Sequence, residues 1–504
     1  MKGLRAPPAM ADICMVVEGT YPYVAGGVSS WAHDIIRSLP ELSFSLVAIL
    51  APNTDLTPRY QLPPNVIGVH HIFLSPFKAK RRWTFRRPGA PFFQALEAAL
   101  WEFTEHPGIV TLHQLIRLLK EQRETLGWDL LMNSRLSWNM LLKLYARMLP
   151  DGPFLDFFWT WRYLMGNLFV ILMADLPPAR AYHAVSTGFA GLFLARAHLE
   201  SGRPVFVTEH GIYTNERRIE INMADWLYEK PRSSLQVDHA ERDLKGLWIH
   251  SFQAYSLVCY QASAWIITLY SGNQVFQRAD GADPVKMRII PNGIHWEAFD
   301  KICPEPDRPP TVALIGRVVP IKDIKSYIRA CAILRDAIPT ARAYVLGPTE
   351  EDMGYFDECM QLIVHLGLGG MFEFTGRVKL TEWMGRIDIN VLTSISEGQP
   401  LVILEAGAAG IPTVSTDVGG CREMIEGHQD EDPPLGHAGI ITRVSSPAET
   451  AQALIRLLSD RETYDRFSAA IRARVKKYYA LGDLKQTYSG IYAELCARPD
   501  EERL

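Results

Sequence analysis

The feature that most constrains this chain is a rhythm that occurs twice: short, nearly all-apolar runs of strand length, separated by amphipathic stretches of helix length. In the first half the runs are Ile13–Val17, Phe44–Leu50, Tyr182–Val185, Val205–Glu209 and Trp265–Leu269. A strand buried on both faces reads as a continuous apolar run, and parallel strands require a crossover, usually a helix. These runs therefore predict one parallel α/β layer. After the turn Pro291-Asn292-Gly293 a second series follows: Thr311–Ile315, Ala343–Leu346, Met371–Phe374, Ile387–Leu392 and Thr413–Ser415, with a helix predicted over Ile324–Ala337. The prediction is a second layer of the same kind.

Length agrees with two domains, because single cores stop growing below 504 residues and 48% of this chain is hydrophobic. The Pro-rich stretch Cys303–Pro310 cannot continue a helix or a central strand and is the expected linker. The expected domains are residues 1–300, residues 301–481, and a C-terminal segment 482–504. That last segment holds a helix over Asp483–Leu495, expected to pack back on the first domain. Between Ser75 and Pro178 the pattern is aromatic-rich and helical, an insertion of about 75–178. Its longest apolar run, Tyr163–Ala174, falls short of the about 20 residues that span a bilayer and reads as a buried helix.

Lys+Arg 52 against Asp+Glu 56 leaves a formal charge of -4, so the whole chain offers no field that draws nucleic acid. The seven cysteines are odd in number and never spaced C-x-x-C, which speaks for a reducing compartment and against a disulfide framework. The N-terminus shows no apolar signal region, so export is not expected.

The most informative segment is SEGQPLVILEAGAAG, Ser396–Gly410. Gly398 allows close approach of backbone to ligand, and Pro400 suits the first position of a helix. The free N–H groups of a helix starting there, with Leu401 among its first residues, suit a diphosphate. Glu397 precedes that terminus and Glu405 lies about a turn and a half inside it, so the two carboxylates can address opposite ends of one ligand. Taken alone, E-G-x-P also fits an ordinary strand-to-helix junction. A second element, ALIGRVVPIK at Ala313–Lys322, ends an apolar strand in Gly316-Arg317 with Lys322 five residues later. Arg317 can fork onto phosphate oxygens and Lys322 adds a compact charge, at about 1.5–3 kcal/mol per charge-assisted bond.

These motifs, G-R-x4-K, T-G-R-V (Thr375–Val378) and E-x7-E (Glu397, Glu405), resemble the family 4 retaining glycosyltransferases of GT-B fold. That resemblance implies two Rossmann-like domains with parallel sheets facing a central cleft, residues 1–300 the acceptor domain carrying the helical insertion and residues 301–481 the nucleotide-sugar donor domain. The segments VVEGTYPYVAGGVSSWAHDII (Val16–Ile36) and VTEHGIYTNERRIE (Val207–Glu220) are similar to PelF-type glycosyltransferases of Pel exopolysaccharide synthesis. The implied donor is a UDP-sugar, UDP-glucose first, and the implied acceptor a growing polysaccharide. The resemblance also implies a cytoplasmic protein, peripheral at the inner membrane beside other Pel synthesis proteins.

Residue by residue, the resemblance places Gly26 and Gly27 beside the diphosphate and His210 beside the transferred sugar. It gives the uracil to the loop at Arg377 and Val378, the ribose hydroxyls to Glu405 and the donor sugar to Glu397. Glu423, after Gly419-Gly420, reads as structural. With Arg317 and Lys322 as built-in cations, no metal and no other cofactor is expected. The only D-x-D string, Asp430-Glu431-Asp432, reads as a solvated loop. The crowded basic residues Lys78, Lys80, Arg81, Arg82, Arg86 and Arg87 fit either a solvated loop or contact with anionic lipid. Three other readings share the architecture: a nucleotide-sugar-binding assembly subunit, a UDP-sugar 2-epimerase, and a phosphorylase, which would need a pyridoxal-phosphate lysine.

Overall fold

The computed structural model describes residues 10–79, 88–150, 152–222 and 243–498, and the chain divides into two units. The first comprises Met1–Thr268, Gln274–Arg288 and Tyr488–Leu504; the second comprises Leu269–Asn273 and Ile289–Thr487.

The first sheet contains β1 (Ala11–Glu18), β2 (Phe44–Leu50), β3 (Val66–Phe73), β4 (Ala179–Ala184), β5 (Val205–Glu209), β6 (Ile266–Thr268) and β7 (Met287–Ile289). Their spatial order is β3-β2-β1-β4-β5-β6-β7. β1 pairs in parallel with β2 (Ile13 opposite Phe44) and with β4 (Ala11 opposite Ala179). Every side chain of β2 and β5 is buried, which is why these two runs were legible to the residue. β3 was not expected: its VIGVHHIF is half-buried at the sheet edge and carries two histidines, so no continuous apolar run marks it. β7, three residues long at the opposite edge, was likewise missed.

Between β3 and β4 the described residues form five helices, Ala90–Glu105, Ile109–Glu121, Trp128–Met132, Arg135–Met148 and Phe154–Met173. In the last, every residue from Leu164 to Met173 is buried. A Cβ on Gly166 would sit 2.5 Å from the Trp128 ring, so that crossing requires glycine. The fully buried Arg196 donates to the carbonyls of Ile171 (2.6 Å) and Ala174 (2.7 Å), capping the end of this helix, and pairs with Glu200 at 2.5 Å. Among the described residues no helix is long and apolar enough to cross a membrane.

The last helix spans Leu481–Ala497, and from Tyr488 onward it belongs to the first unit. Tyr488 and Tyr492 are fully buried there, with hydroxyls bonded to Thr208 (3.0 Å) and His183 (2.8 Å).

The second sheet has β8 (Thr311–Ile315), β9 (Arg342–Leu346), β10 (Phe372–Gly376), β11 (Ile389–Leu392), β12 (Thr413–Thr416) and β13 (Gly439–Thr442), in the order β10-β9-β8-β11-β12-β13. The helix Ile324–Ala337 forms as read. The Pro-rich linker expectation needs correcting. The division between units falls at Arg288/Ile289, and Cys303–Pro310 lies inside the second unit. Its prolines do exclude regular structure, but the segment is tied down: Glu305 N–H donates to the Gly385 carbonyl at 2.7 Å, and Arg308 pairs with Asp388.

Both strand orders reverse once, between β1 and β4 and between β8 and β11. In open α/β sheets that reversal, at the carboxyl ends of the strands, is where ligands bind.

Candidate functional site

At the β8/β11 reversal the segments leaving the two strands are stitched together. The Ile395 N–H donates to the Ile321 carbonyl at 2.9 Å, and the Thr393 hydroxyl donates to the carbonyls of Lys322 and Asp323, each at 3.0 Å. Asp323 adopts the left-handed conformation (φ 44°) and caps the helix Ile324–Ala337 by accepting from the Ser326 N–H at 3.2 Å. This turn places the Lys322 ammonium 2.5 Å from Glu397 Oε1, which also accepts from the Ser394 hydroxyl at 2.5 Å. The two side chains are only 20% and 12% exposed. Two residues assigned separately to phosphate and sugar thus form one ion pair.

Pro400 is one position off its expected place. Its extended backbone (φ -71°, ψ 112°) makes it the N-cap, and the helix runs Leu401–Ala408. The N–H groups of Leu401 and Val402 have no acceptor among the described residues, as at any helix start. The loop ahead of this helix is fixed by Gly419 (φ +55°), where a Cβ would lie 2.2 Å from the Glu397 carbonyl oxygen and 2.4 Å from that of Gly398. The Gly420 N–H donates to the Gly398 carbonyl at 2.8 Å. Glu405 is half-buried, its carboxyl group has no hydrogen-bond partner among the described residues, and burial raises its pKa. An unpaired acceptor of this kind suits hydroxyl donors.

Arg317 and Arg377 are exposed and held by neighbouring carboxylates that sequence reading missed: Arg317 pairs with Glu351 at 2.8 Å and Arg377 with Glu350 at 3.1 Å. Such pairs are worth about 0–1 kcal/mol, so an incoming phosphate displaces them at little cost. Their loops are joined at Gly347, where a Cβ would fall 2.0 Å from the Gly316 carbonyl oxygen; its own N–H donates to Gly376 at 2.9 Å. Val378 packs against the core of the second unit. Asn292 was also missed: its N–H donates to the buried Gln399 side chain at 2.6 Å, while its own Oδ1 is buried and unpaired. Glu423 accepts from both the N–H (2.9 Å) and the hydroxyl (2.6 Å) of Ser271, a structural role.

In the first unit, Gly26 is the N-cap of the helix Gly27–Ser38, and a Cβ on Gly26 or Gly27 would enter open space. Packing within the chain therefore does not demand glycine at either position. His210, one residue beyond β5, lies edge-on to Trp31 of that helix with ring centroids 4.6 Å apart. Its Nε2 is shielded from solvent and has no partner, and burial pushes its pKa down to about 4, so the ring is neutral near pH 7. The preceding Glu209 is fully buried, accepts from Tyr260 (2.6 Å), Gln277 (2.9 Å) and Thr187 (3.0 Å), and is pushed up to about 7, chiefly by burial.

Among the described residues no group of three or more His, Cys, Asp or Glu could hold a metal ion. The solvated-loop reading of Asp430-Glu431-Asp432 is corrected at its centre. Glu431 is buried and takes both arms of the buried Arg474 guanidinium, at 2.7 and 3.0 Å. Of the basic stretch, Lys80, Arg81, Arg82, Arg86 and Arg87 lie outside the described residues.

The chain matches the family described as "Domain of unknown function (DUF3492)" over residues 11–285 and that described as "Glycosyl transferases group 1" over residues 297–474. It is 26% identical over 227 residues to the D-inositol 3-phosphate glycosyltransferase of Streptomyces griseus subsp. griseus, covering 39% of this chain and 46% of the relative. The enzyme of that name from Thermomonospora curvata is 28% identical over 221 residues, covering 42% and 46%. The chain spans less than half the length of these curated relatives. Among solved structures it is similar to Anabaena Alr3699/HepE in complex with UDP (TM-score 0.57, 14% identity, 95% of this chain and 99% of that one). It is also similar to sucrose-phosphate synthase from Thermosynechococcus elongatus (TM-score 0.57, 14% identity, 96% and 99%). At these identities the likeness shows the fold, two parallel-sheet Rossmann-like domains of GT-B type. The chain belongs, over more than half its length, to the DUF3492 family, and residues 297–474 match the glycosyl transferases group 1 model.

Proposed function

We propose that this chain transfers a hexose from a UDP-sugar, UDP-glucose first, to a growing extracellular polysaccharide of Pel type, with retention at the anomeric carbon. The observation that carries the reading is the half-buried Lys322–Glu397 pair beside the open helix start at Leu401, at the reversal point of the second sheet. The bond from anomeric carbon to phosphate oxygen breaks as positive charge builds on the sugar ring, so the charge on the departing diphosphate must be stabilised. Lys322, Arg317 and the N–H groups at Leu401 supply that stabilisation. Glu397 accepts from donor-sugar hydroxyls, Glu405 from the ribose, and the loop at Arg377 and Val378 takes the uracil. His210, neutral with a free Nε2, is suited to one hydrogen bond with the transferred sugar, and Gly26 and Gly27 leave room for a close backbone approach. The acceptor oxygen bonds the anomeric carbon on the face the phosphate leaves, and its proton passes to that phosphate. The UDP complex of Anabaena HepE supports the donor class; the sequence resemblance of residues 16–36 and 207–220 supports the Pel-type product, a cytoplasmic location and partners at the inner membrane.

The test is turnover: the purified chain is incubated with individual UDP-sugars and saccharide acceptors, with and without chelator, and products are read by mass spectrometry and anomeric NMR. An extended product with the donor's configuration, formed equally in chelator, supports the proposal. Donor binding without any product would instead favour an assembly subunit, and an epimerised donor a 2-epimerase.

A further inference from the structure

The C-terminal helix Leu481–Ala497 carries two tyrosines, Tyr488 and Tyr492, that are fully buried in the first unit. What they meet there is a polar chain. Tyr492 shares a hydrogen bond with His183 Nδ1 at 2.8 Å, His183 Nε2 with the Thr208 hydroxyl at 2.9 Å, and that hydroxyl with Tyr488 at 3.0 Å. His183, on β4, is itself fully buried and stacks on Phe206 with ring centroids 3.9 Å apart. A buried polar chain is costly unless every member is paired, so these bonds hold the helix in a single seating.

That seating reaches His210. Side chains alternate along a strand, so Phe206, Thr208 and, one residue past β5, His210 share a face. On this face Trp31, from the helix Gly27–Ser38, stands between Tyr488 and His210: its ring meets the first edge-on at 5.3 Å and the second edge-on at 4.6 Å. The other face of the strand end is held by Glu209 through Tyr260, Gln277 and Thr187. In this cluster His210 Nε2 and Trp31 Nε1 are the two buried polar atoms without a partner among the described residues. A ring fixed on its flanks, with a hydrogen bond still to make, is preorganised for a substrate contact.

We infer that the C-terminal helix takes part in transfer: Tyr488, acting through Trp31, is a positioning residue that fixes the ring of His210. The inference rests on the proposed contact of His210 with the transferred sugar. The Tyr488 ring does the positioning, and Tyr492 with His183 keeps the helix seated when only the Tyr488 hydroxyl is lost. Removing the ring lets Trp31 and His210 settle elsewhere and lets water reach the imidazole.

Tyr488→Leu, Tyr488→Phe and His210→Ala are compared in the full chain, and Tyr488→Leu is also combined with His210→Ala. Three quantities are read: UDP-sugar turnover, UDP affinity by calorimetry, and the titration of His210 by NMR of histidine-labelled protein, its signals assigned with His210→Ala. Tyr488→Leu should lower turnover about 10- to 100-fold with UDP affinity unchanged, and Tyr488→Phe should keep the parental rate. Once His210 is already alanine, Tyr488→Leu should cost less than about twofold more. His210 should titrate at about 4 in the parent and in Tyr488→Phe, and nearer its free value of 6.5 in Tyr488→Leu. An equal cost of Tyr488→Leu with and without His210, as a merely structural role would give, overturns the inference, and so does an unmoved His210 titration. Should Tyr488→Leu not fold, Trp31→Phe is the second variant; it should raise the His210 titration in the same direction, and an unchanged value would overturn the inference equally. If no UDP-sugar reacts with the parent, the proposed function falls, while the His210 signals still decide whether Tyr488 holds the ring.

Discussion

Replacing Lys322 by Met separates what the Lys322–Glu397 pair does for the fold from what it does for transfer. The variant leaves Glu397 only 12% exposed with one remaining donor, Ser394. Breaking a fully buried pair costs about 3–5 kcal/mol. Because both partners keep some solvent and Ser394 still donates, about 2 kcal/mol is expected here. For a unit of this size that is a fall of about 4–8 °C in the midpoint of its thermal transition. The double variant Lys322→Met/Glu397→Gln removes the stranded charge, so stability should return to within about 1 kcal/mol of the parent. Turnover should not return. Losing a preorganised cation aimed at developing charge costs about 10²–10³ in rate, and the second substitution weakens the grip on the sugar. Calorimetric unfolding and UDP-sugar turnover are measured on the same preparations. A double variant that recovers parental turnover along with stability, or a single variant unchanged in both, would refute the reasoning.

Arg317→Ala should lower turnover about 100-fold while changing stability by no more than about 0.5 kcal/mol, because its pair with Glu351 is exposed; a large stability loss with normal turnover would reverse the assignment. Glu431→Ala strands the buried Arg474 and should cost about 3–5 kcal/mol, read by denaturant unfolding, with no change in donor affinity. The neighbours Glu209 and His210 should show opposite pH dependences. His210, at about 4 when folded against 6.5 when free, loses stability as pH falls from about 6.5 to 4, since the unfolded chain then binds the extra proton. Glu209, at about 7 against 4.5, stabilises below about 4.5 and loses that contribution as pH rises through 7. The two largely cancel between pH 5 and 6.5 in the parent. His210→Gln should therefore gain stability relative to the parent as pH falls through that window and Glu209→Gln should lose it, as urea unfolding at several pH values will show.

The central strands were legible because burial on both faces leaves one mark, an apolar run; β2, β5 and β8 match their predicted runs residue for residue. Edge strands carry no such mark. β3 carries two adjacent histidines among mostly half-buried residues, and β13 is four residues, GIIT. At the candidate site, the places of Pro400, Glu397 and Lys322 in the chain's local structure were legible by spacing, since a strand end, a glycine and a helix start are local events. Their mutual pairing was hidden because it joins residues 75 positions apart and depends on the left-handed turn at Asp323. The carboxylates holding Arg317 and Arg377 were hidden for the same reason, lying on the loop after β9. The linker misread shows the limit of composition: proline rules out helix and central strand, yet says nothing about whether a segment is anchored, and Arg308–Asp388 anchors this one.

The most direct measurement is calorimetric titration of UDP into the full chain, alongside Glu405→Ala and Arg317→Ala. One saturable site in the parent, weakened about tenfold or more in each variant, is the expected result. Absence of UDP binding to the folded parent, or equal binding by all three proteins, would contradict the placement of the donor at the β8/β11 reversal.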